Sequence, residues 1–163
     1  RLERREMVEL LDRWFGVMGA AIEAEGGDIL KFMGDGLLAV FPLDDDPKGS
    51  CARALTAAKN TIAGTAKLNE ELAAEGKAAL RFGLALHAGD VEFGNIGAVR
   101  RIDFTVIGPA VNHASRLQDL TKVLQTPLVL SDAFIATLDE RLRSLGSHAL
   151  RGVREPVEVF APE

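Results

Sequence analysis

The sequence has almost no cysteine, no excess of positive charge and no long apolar run. Cys51 is the single cysteine among 163 residues, so no disulfide can close within the chain, and a reducing, cytoplasmic compartment is the expected setting. The 19 Lys and Arg are outnumbered by 24 Asp and Glu, a net charge of −5 at pH 7. That balance argues against a broad electrostatic grip on nucleic acid or on anionic lipid. It still allows a small anionic ligand held by a few local cations. No apolar stretch approaches the roughly 20 residues of a membrane-spanning helix, and no charged start followed by an apolar run reads as a signal peptide. A P-loop is missing too, because no Gly-Lys-Ser/Thr follows a glycine-rich turn. Linkers, low-complexity stretches and internal repeats are equally absent. What is there, 47% hydrophobic and 26% charged residues, is the composition of an ordinary folded domain, and the length suits one core.

Periodicity predicts the elements. Val8, Leu11, Phe15, Met18 and Ile22 recur at steps of three and four, an apolar stripe on a helix over 1–24 that Gly26-Gly27 ends. The chain opens within this helix with no capping signal and no preceding strand, so residues upstream of Arg1 are expected. Two apolar runs, 28–33 and 37–41, flank Gly34-Asp35-Gly36 and read as a β-hairpin. Acidic Asp44–Asp46 precedes an Ala-rich helix over 49–75, closed by Gly76. A strand is expected over 80–86, a short return over 91–93, a loop at 94–97 and another β run over 102–107. Gly108-Pro109 then leads into a helix over 110–123. A strand at 128–130, a helix at 132–143 capped by Ser131 or Asp132, and a hairpin near 147–150 and 157–160 complete the chain. The order predicts an α+β domain spanning 1–163, with helices on one face of a mainly antiparallel sheet.

A few residues stand out. Asp35, flanked by glycines between two strands, sits where backbone and ligand can approach closely, although Gly-Asp-Gly is also an ordinary turn. Lys31 interrupts a strand that is otherwise apolar on both faces. It must snorkel to water or meet a ligand, because burying an unpaired ammonium is costly. Asn112 and Arg116 are four residues apart, which puts them on one helix face, about 6 Å apart along its axis. An amide and a guanidinium so placed can both donate to phosphate oxygens. Such a pair is also common on solvated helices.

Taken together, Lys31-Phe-Met-Gly-Asp35-Gly, His87-Ala-Gly-Asp-Val-Glu-Phe-Gly94-Asn-Ile-Gly97 and Phe104-Thr105-Val-Ile-Gly108-Pro-Ala-Val-Asn112-His-Ala-Ser-Arg116-Leu resemble the catalytic domain of class III nucleotidyl cyclases. The three motifs come in that family's order and span essentially the whole chain. The resemblance implies a ferredoxin-like cyclase fold and formation of 3′,5′-cyclic AMP and pyrophosphate from ATP. It implies two divalent cations, Mg²⁺ or Mn²⁺, with Asp35 matching one of two metal-holding aspartates. Such metals activate the ribose 3′-hydroxyl and neutralise the leaving pyrophosphate.

Lys31 matches the lysine that reads the purine, with Thr105 at its partner position. This pair favours ATP over GTP, because the Glu-based pair of guanine-selective members is absent. Asn112 matches the residue that orients the ribose, and Arg116 the one that stabilises charge at the α-phosphate. Arg151 and Arg154 align loosely with the β- and γ-phosphate contacts. The family works as a head-to-tail dimer, so a second copy of the chain would complete each site, and sensor modules often lie upstream.

One departure is an absence. The first metal aspartate of the family lies on an opening strand, and Asp12 stands in mid-helix instead, so that strand is expected upstream of residue 1 and the chain alone is expected to turn over slowly or not at all. Two alternatives stay open: a guanylate cyclase, and a degenerate domain that binds nucleotide or a partner without turnover. Glu25-Gly-Gly-Asp28 superficially suggests a diguanylate cyclase, but Ile29-Leu30 follows where that family has acidic and aromatic residues. His87 and Asp90 read as structural, and His113 points about 100° away from Asn112.

Overall fold

Helix α1 (Arg4–Ala24) turns its buried ridge, Trp14, Met18, Ala21 and Ile22, toward the protein. The ridge is rotated from the expected stripe, and Val8 is exposed. The computed structural model that shows this describes residues 3–33, 36–96, 103–136 and 138–163. Glu3 is the N-cap, and its backbone N–H donates to the Glu6 carboxylate at 3.3 Å. A capping signal therefore exists, hidden because a glutamate stands where Ser or Thr is usual.

The remaining elements follow in order: β1 (Asp28–Met33), β2 (Gly36–Val40), α2 (Pro47–Ala74), β3 (Leu84–Leu86), β4 (Glu92–Ile96), β5 (Asp103–Ile107), α3 (Pro109–Leu124), β6 (Leu128–Ser131), α4 (Asp132–Ile135), β7 (Leu142–His148) and β8 (Val157–Pro162). Asp46 caps α2, accepting from the Gly49 N–H at 3.0 Å, and Gly76 leaves the helix at φ +73°, where an L side chain would be strained. Between α1 and α2, the Trp14 indole donates to the Thr65 hydroxyl at 3.2 Å, and that hydroxyl donates to the Thr61 carbonyl at 2.7 Å. No buried polar group in this seam is left without a partner, which is what makes such burial tolerable.

Among the described residues the strands form three sheets: β1-β2, β4-β5, and a four-stranded sheet in the order β3-β6-β8-β7. Only β3-β6 pairs in parallel. The helices do not share one face, contrary to expectation. Leu128 and Leu130 of β6 pack with Cys51, Ala54, Leu55 and Ala58 of α2, whereas Val129 packs with Leu117 and Leu120 of α3. Alternation along the strand sends neighbours to opposite faces, so all of β6 is buried and α2 and α3 sandwich it. The far half of α2, Leu68 and Leu72, packs with Ile29, Leu37 and Ala39 of the β1-β2 hairpin. One helix therefore covers two of the three sheets.

Three boundaries differ from expectation. Leu80 does not start a strand, because its N–H and carbonyl are both taken by the Asn69 amide of α2. β4 runs on to Ile96 where a loop was expected. The helix expected over 132–143 is only α4, capped by Ser131, and the final hairpin starts earlier, at Leu142. The hairpin carries a bulge between Ser144 and Ser147, with Gly146 at φ +89°. It brings Leu142, Leu145 and His148 inward at steps of three, a spacing that imitates a helix. No helix among the described residues is long and apolar enough to cross a membrane.

Candidate active site

A bulge also explains Lys31. The pairing of β1 with β2 shifts register between Ile29 and Lys31, with Ile29 opposite Ala39, Lys31 opposite Leu38 and Phe32 opposite Leu37. Leu30 is the extra residue. Ile29, Ala39 and Leu37 pack against the α1–α2 core, and the Phe32 ring lies 5.0 Å from that of Phe15 on α1. The single-residue slip turns Lys31 to the other, solvent-exposed side of the hairpin. Lys31 needs no buried counter-charge there, and it makes no ion pair among the described residues. β1 lies against β5, the strand whose backbone carries Thr105 opposite Gly94. The strands of the two purine-reading candidates are thus neighbours; the Thr105 side chain lies outside the described residues.

Asn112 and Arg116 share the outward face of α3. Asn112 is exposed and Arg116 half-exposed, while Leu117 on the opposite side is completely buried. Arg116 has one described charged partner, Asp119 at 3.7 Å, a loose (i, i+3) contact that leaves guanidinium donors available. Arg151 and Arg154 are exposed on the β7–β8 connection, whose Leu150 and Val153 pack beneath α3. Neither arginine forms an ion pair among the described residues. Cavities of about 130 and 240 Å³ lie beside the two ends of α2, and neither is lined by Asn112 or Arg116. The α3 face is an open surface.

Asp35 lies outside the described residues, and β1 and β2 end and begin on either side of it. The described residues hold no group of three or more His, Cys, Asp or Glu side chains that could bind a cation. A pair of hard divalent cations needs several carboxylate oxygens, and Asp35, the candidate among them, is not one of the described donors.

Behind Asn112 lies an arrangement with no signature in the local residue pattern. The rings of His87, just after β3, and His113, on the first turns of α3, stack in parallel, with centroids 4.1 Å apart at 6°. His87 Nδ1 is 2.8 Å from the Ser131 hydroxyl, which also accepts from the Phe134 N–H. Burial and, less strongly, the neighbouring His113 push the His87 pKa down to about 4, against an opposing pull from Asp132. The unfolded chain, with its ordinary histidine value near 6.5, therefore takes the proton first as pH falls. Stability contributed by the neutral ring is complete above pH 6.5 and is lost toward pH 4. For a half-exposed ring the loss is on the order of 1–2 kcal/mol after solvent screening. Thermal melts at pH 7 and pH 4.5 check this: His87→Gln, which keeps a hydrogen-bonding group without the titration, should show the smaller fall. Equal falls would mean that the folded ring charges freely.

Comparison with known proteins gives a consistent result. A family model described as the adenylate and guanylate cyclase catalytic domain matches residues 2–160. Over 141 residues the chain is 36% identical to an adenylate cyclase of Anabaena cylindrica, covering 84% of this chain and 27% of that protein. An uncharacterized protein of Mycobacterium tuberculosis is 32% identical over 167 residues, 96% of this chain and 28% of that protein. The chain thus spans little more than a quarter of the length of these curated relatives. Among solved structures, the guanylyl cyclase Cya2 superposes with a TM-score of 0.83 at 27% identity, covering 98% of this chain and 81% of that one. A bacterial light-regulated adenylyl cyclase gives 0.83 at 30% identity, over 99% and 46%. The adenylyl cyclase CyaB from P. aeruginosa gives 0.82 at 25% identity, over 98% and 83%.

Proposed function

Because this chain belongs to the class III adenylate and guanylate cyclase catalytic domain family and has that family's mixed helix-and-sheet fold, we propose that it is the catalytic domain of an adenylate cyclase. The reaction is attack of the ribose 3′-oxygen of ATP on the α-phosphorus. The 3′-hydroxyl loses its proton, the bond from the α-phosphorus to the bridging oxygen breaks, and pyrophosphate leaves with the electron pair. Asn112 orients the ribose and Arg116 meets charge on the α-phosphate oxygens. Lys31 and Thr105 read the adenine edge, a cation and a hydroxyl toward its ring-nitrogen acceptor and exocyclic amine. Arg154 is a candidate contact for the outer phosphates, and Asp35 one metal carboxylate, Mg²⁺ or Mn²⁺ being the expected cation.

The observation that carries this reading is the placement of Asn112 and Arg116 on one exposed face of a helix whose other face is locked into the sheet. That open face suits a site completed by a second, head-to-tail copy of the chain. A regulatory module upstream is part of the proposal, as is a cytoplasmic setting.

The relatives include both adenylyl and guanylyl enzymes, so base selectivity rests on Lys31 and Thr105. Assaying cyclic nucleotide from ATP and GTP tests it: ATP should be preferred by at least about tenfold, and Lys31→Ala should erase most of that preference, since one good base contact discriminates by about 1–3 kcal/mol. Preference for GTP would replace this reading with a guanylate cyclase. The alternative reading is a domain that binds nucleotide without turnover. It would be indicated by ATP binding without cyclic AMP in a protein that includes the opening strand. Robust cyclic AMP formation by the 163-residue chain alone would contradict the need for that strand.

A further inference from the structure

The start of α3 is weakly held by its own backbone. Its N-cap is Gly108, which has no side chain to accept a hydrogen bond, and Pro109 follows. The Asn112 N–H reaches the Gly108 carbonyl only at 3.5 Å, the Val111 N–H at 3.2 Å. A helix end of this kind, without a cap, frays unless tertiary contacts hold it. Two contacts do so on the inner side. Gly89 lies so near Ala110 that a Cβ on it would come within 2.8 Å of the Ala110 Cβ, and the His113 ring lies flat on His87. The second contact is tied down in turn, His87 through Ser131 to the start of α4. His113 Nε2 is buried without a hydrogen-bond partner among the described residues. That is a cost of about 1–3 kcal/mol that a plain apolar side chain at 113 would avoid.

We propose that His113 is a positioning residue for the cyclase reaction: its stack on His87 sets the height of the first turn of α3 over the sheet, and so places the Asn112 amide for the ribose. The functional part rests on the assignment of Asn112 above. Asn112 and His113 are adjacent and diverge by about 100° around the helix. Stacking on the inner side therefore fixes the outer side chain without touching the nucleotide.

Two measurements on the full-length protein test this. In ¹⁵N relaxation without nucleotide, His113→Ala should lower order parameters over 109–113 from about 0.85 toward 0.6. His113→Phe keeps a flat ring, loses the orphan nitrogen, and should leave them unchanged. If the Ala variant does not fold, His113→Leu, which fills space without a planar face, supplies the same comparison. Unchanged order in Ala or Leu, or lost order in Phe, overturns the proposal. The second measurement is a kinetic cycle with ATP. His113→Ala should lower kcat about tenfold with KM within about twofold, and should cost less than twofold more when added to Asn112→Ala. Equal losses in both backgrounds would show a general structural role and overturn the positioning. A wild type without turnover would defeat the cyclase reading instead, leaving the relaxation comparison to decide whether the stack holds the helix.

Discussion

Arg116→Ala is expected to lower kcat with ATP by about 10²–10³-fold, the usual loss when one preorganised donor is taken from a developing oxyanion, while the melting temperature hardly moves. The stability half of this follows from the contacts of the side chain. Arg116 is partly solvated and leans only on Asp119 at 3.7 Å, and an exposed ion pair of this kind is worth about 0–1 kcal/mol. The activity half follows from the chemistry: as the bond to the leaving pyrophosphate lengthens, charge gathers on the α-phosphate oxygens, and a planar guanidinium can hold two of them at once. Arg116→Lys keeps the charge without the fork and should fall in between. Asp119→Ala should change kcat by less than about threefold.

If sites are shared between two copies, mixing Arg116→Ala with Asp35→Ala should restore about a quarter of wild-type activity. Half of the dimers are then mixed, and each mixed dimer has one intact site of two. No rescue from confirmed mixed dimers would count against shared sites.

Leu117→Ala, one position further on, should do the opposite. Leu117 is wholly buried among Leu120, Val129, Leu150 and Val159, so truncation removes buried methyl groups and leaves a cavity. The expected cost is about 2–5 kcal/mol, a large share of the roughly 5–15 kcal/mol that holds a domain together. For a chain of this size it lowers the melting temperature by roughly 10 °C. Well below that temperature kcat should hold within a few-fold, because the outer face of α3 is unchanged. Parallel melts and rates for the two variants separate a residue that binds from a residue that anchors. A Leu117→Ala protein as stable as Arg116→Ala would mean that α3 is not docked through this face.

Much of the architecture was legible along the chain. Asp46 and Gly76 bracket α2 as their chemistry requires, the apolar runs around residues 34–36 pair as expected, and the four-residue spacing of Asn112 and Arg116 places them on one face. These are local rules, acting over a turn of helix or a pair of strands. Less legible were the places where a bulge breaks the local period. Around Gly146 an extra residue spaces the inward side chains of β7 by three. At Leu30 it sets the face to which Lys31 belongs, which no count of alternating residues reveals.

The residue pattern alone pointed to the family, to the three long helices and to a set of candidate site residues, because each depends on neighbours in sequence. Tertiary structure settled which face each strand presents, that α2 and α3 enclose β6 from both sides, and that His87 meets His113, 26 positions away. Those outcomes depend on packing between distant segments, where a single inserted residue or a ring-to-ring contact alters which groups meet and leaves no mark on local periodicity.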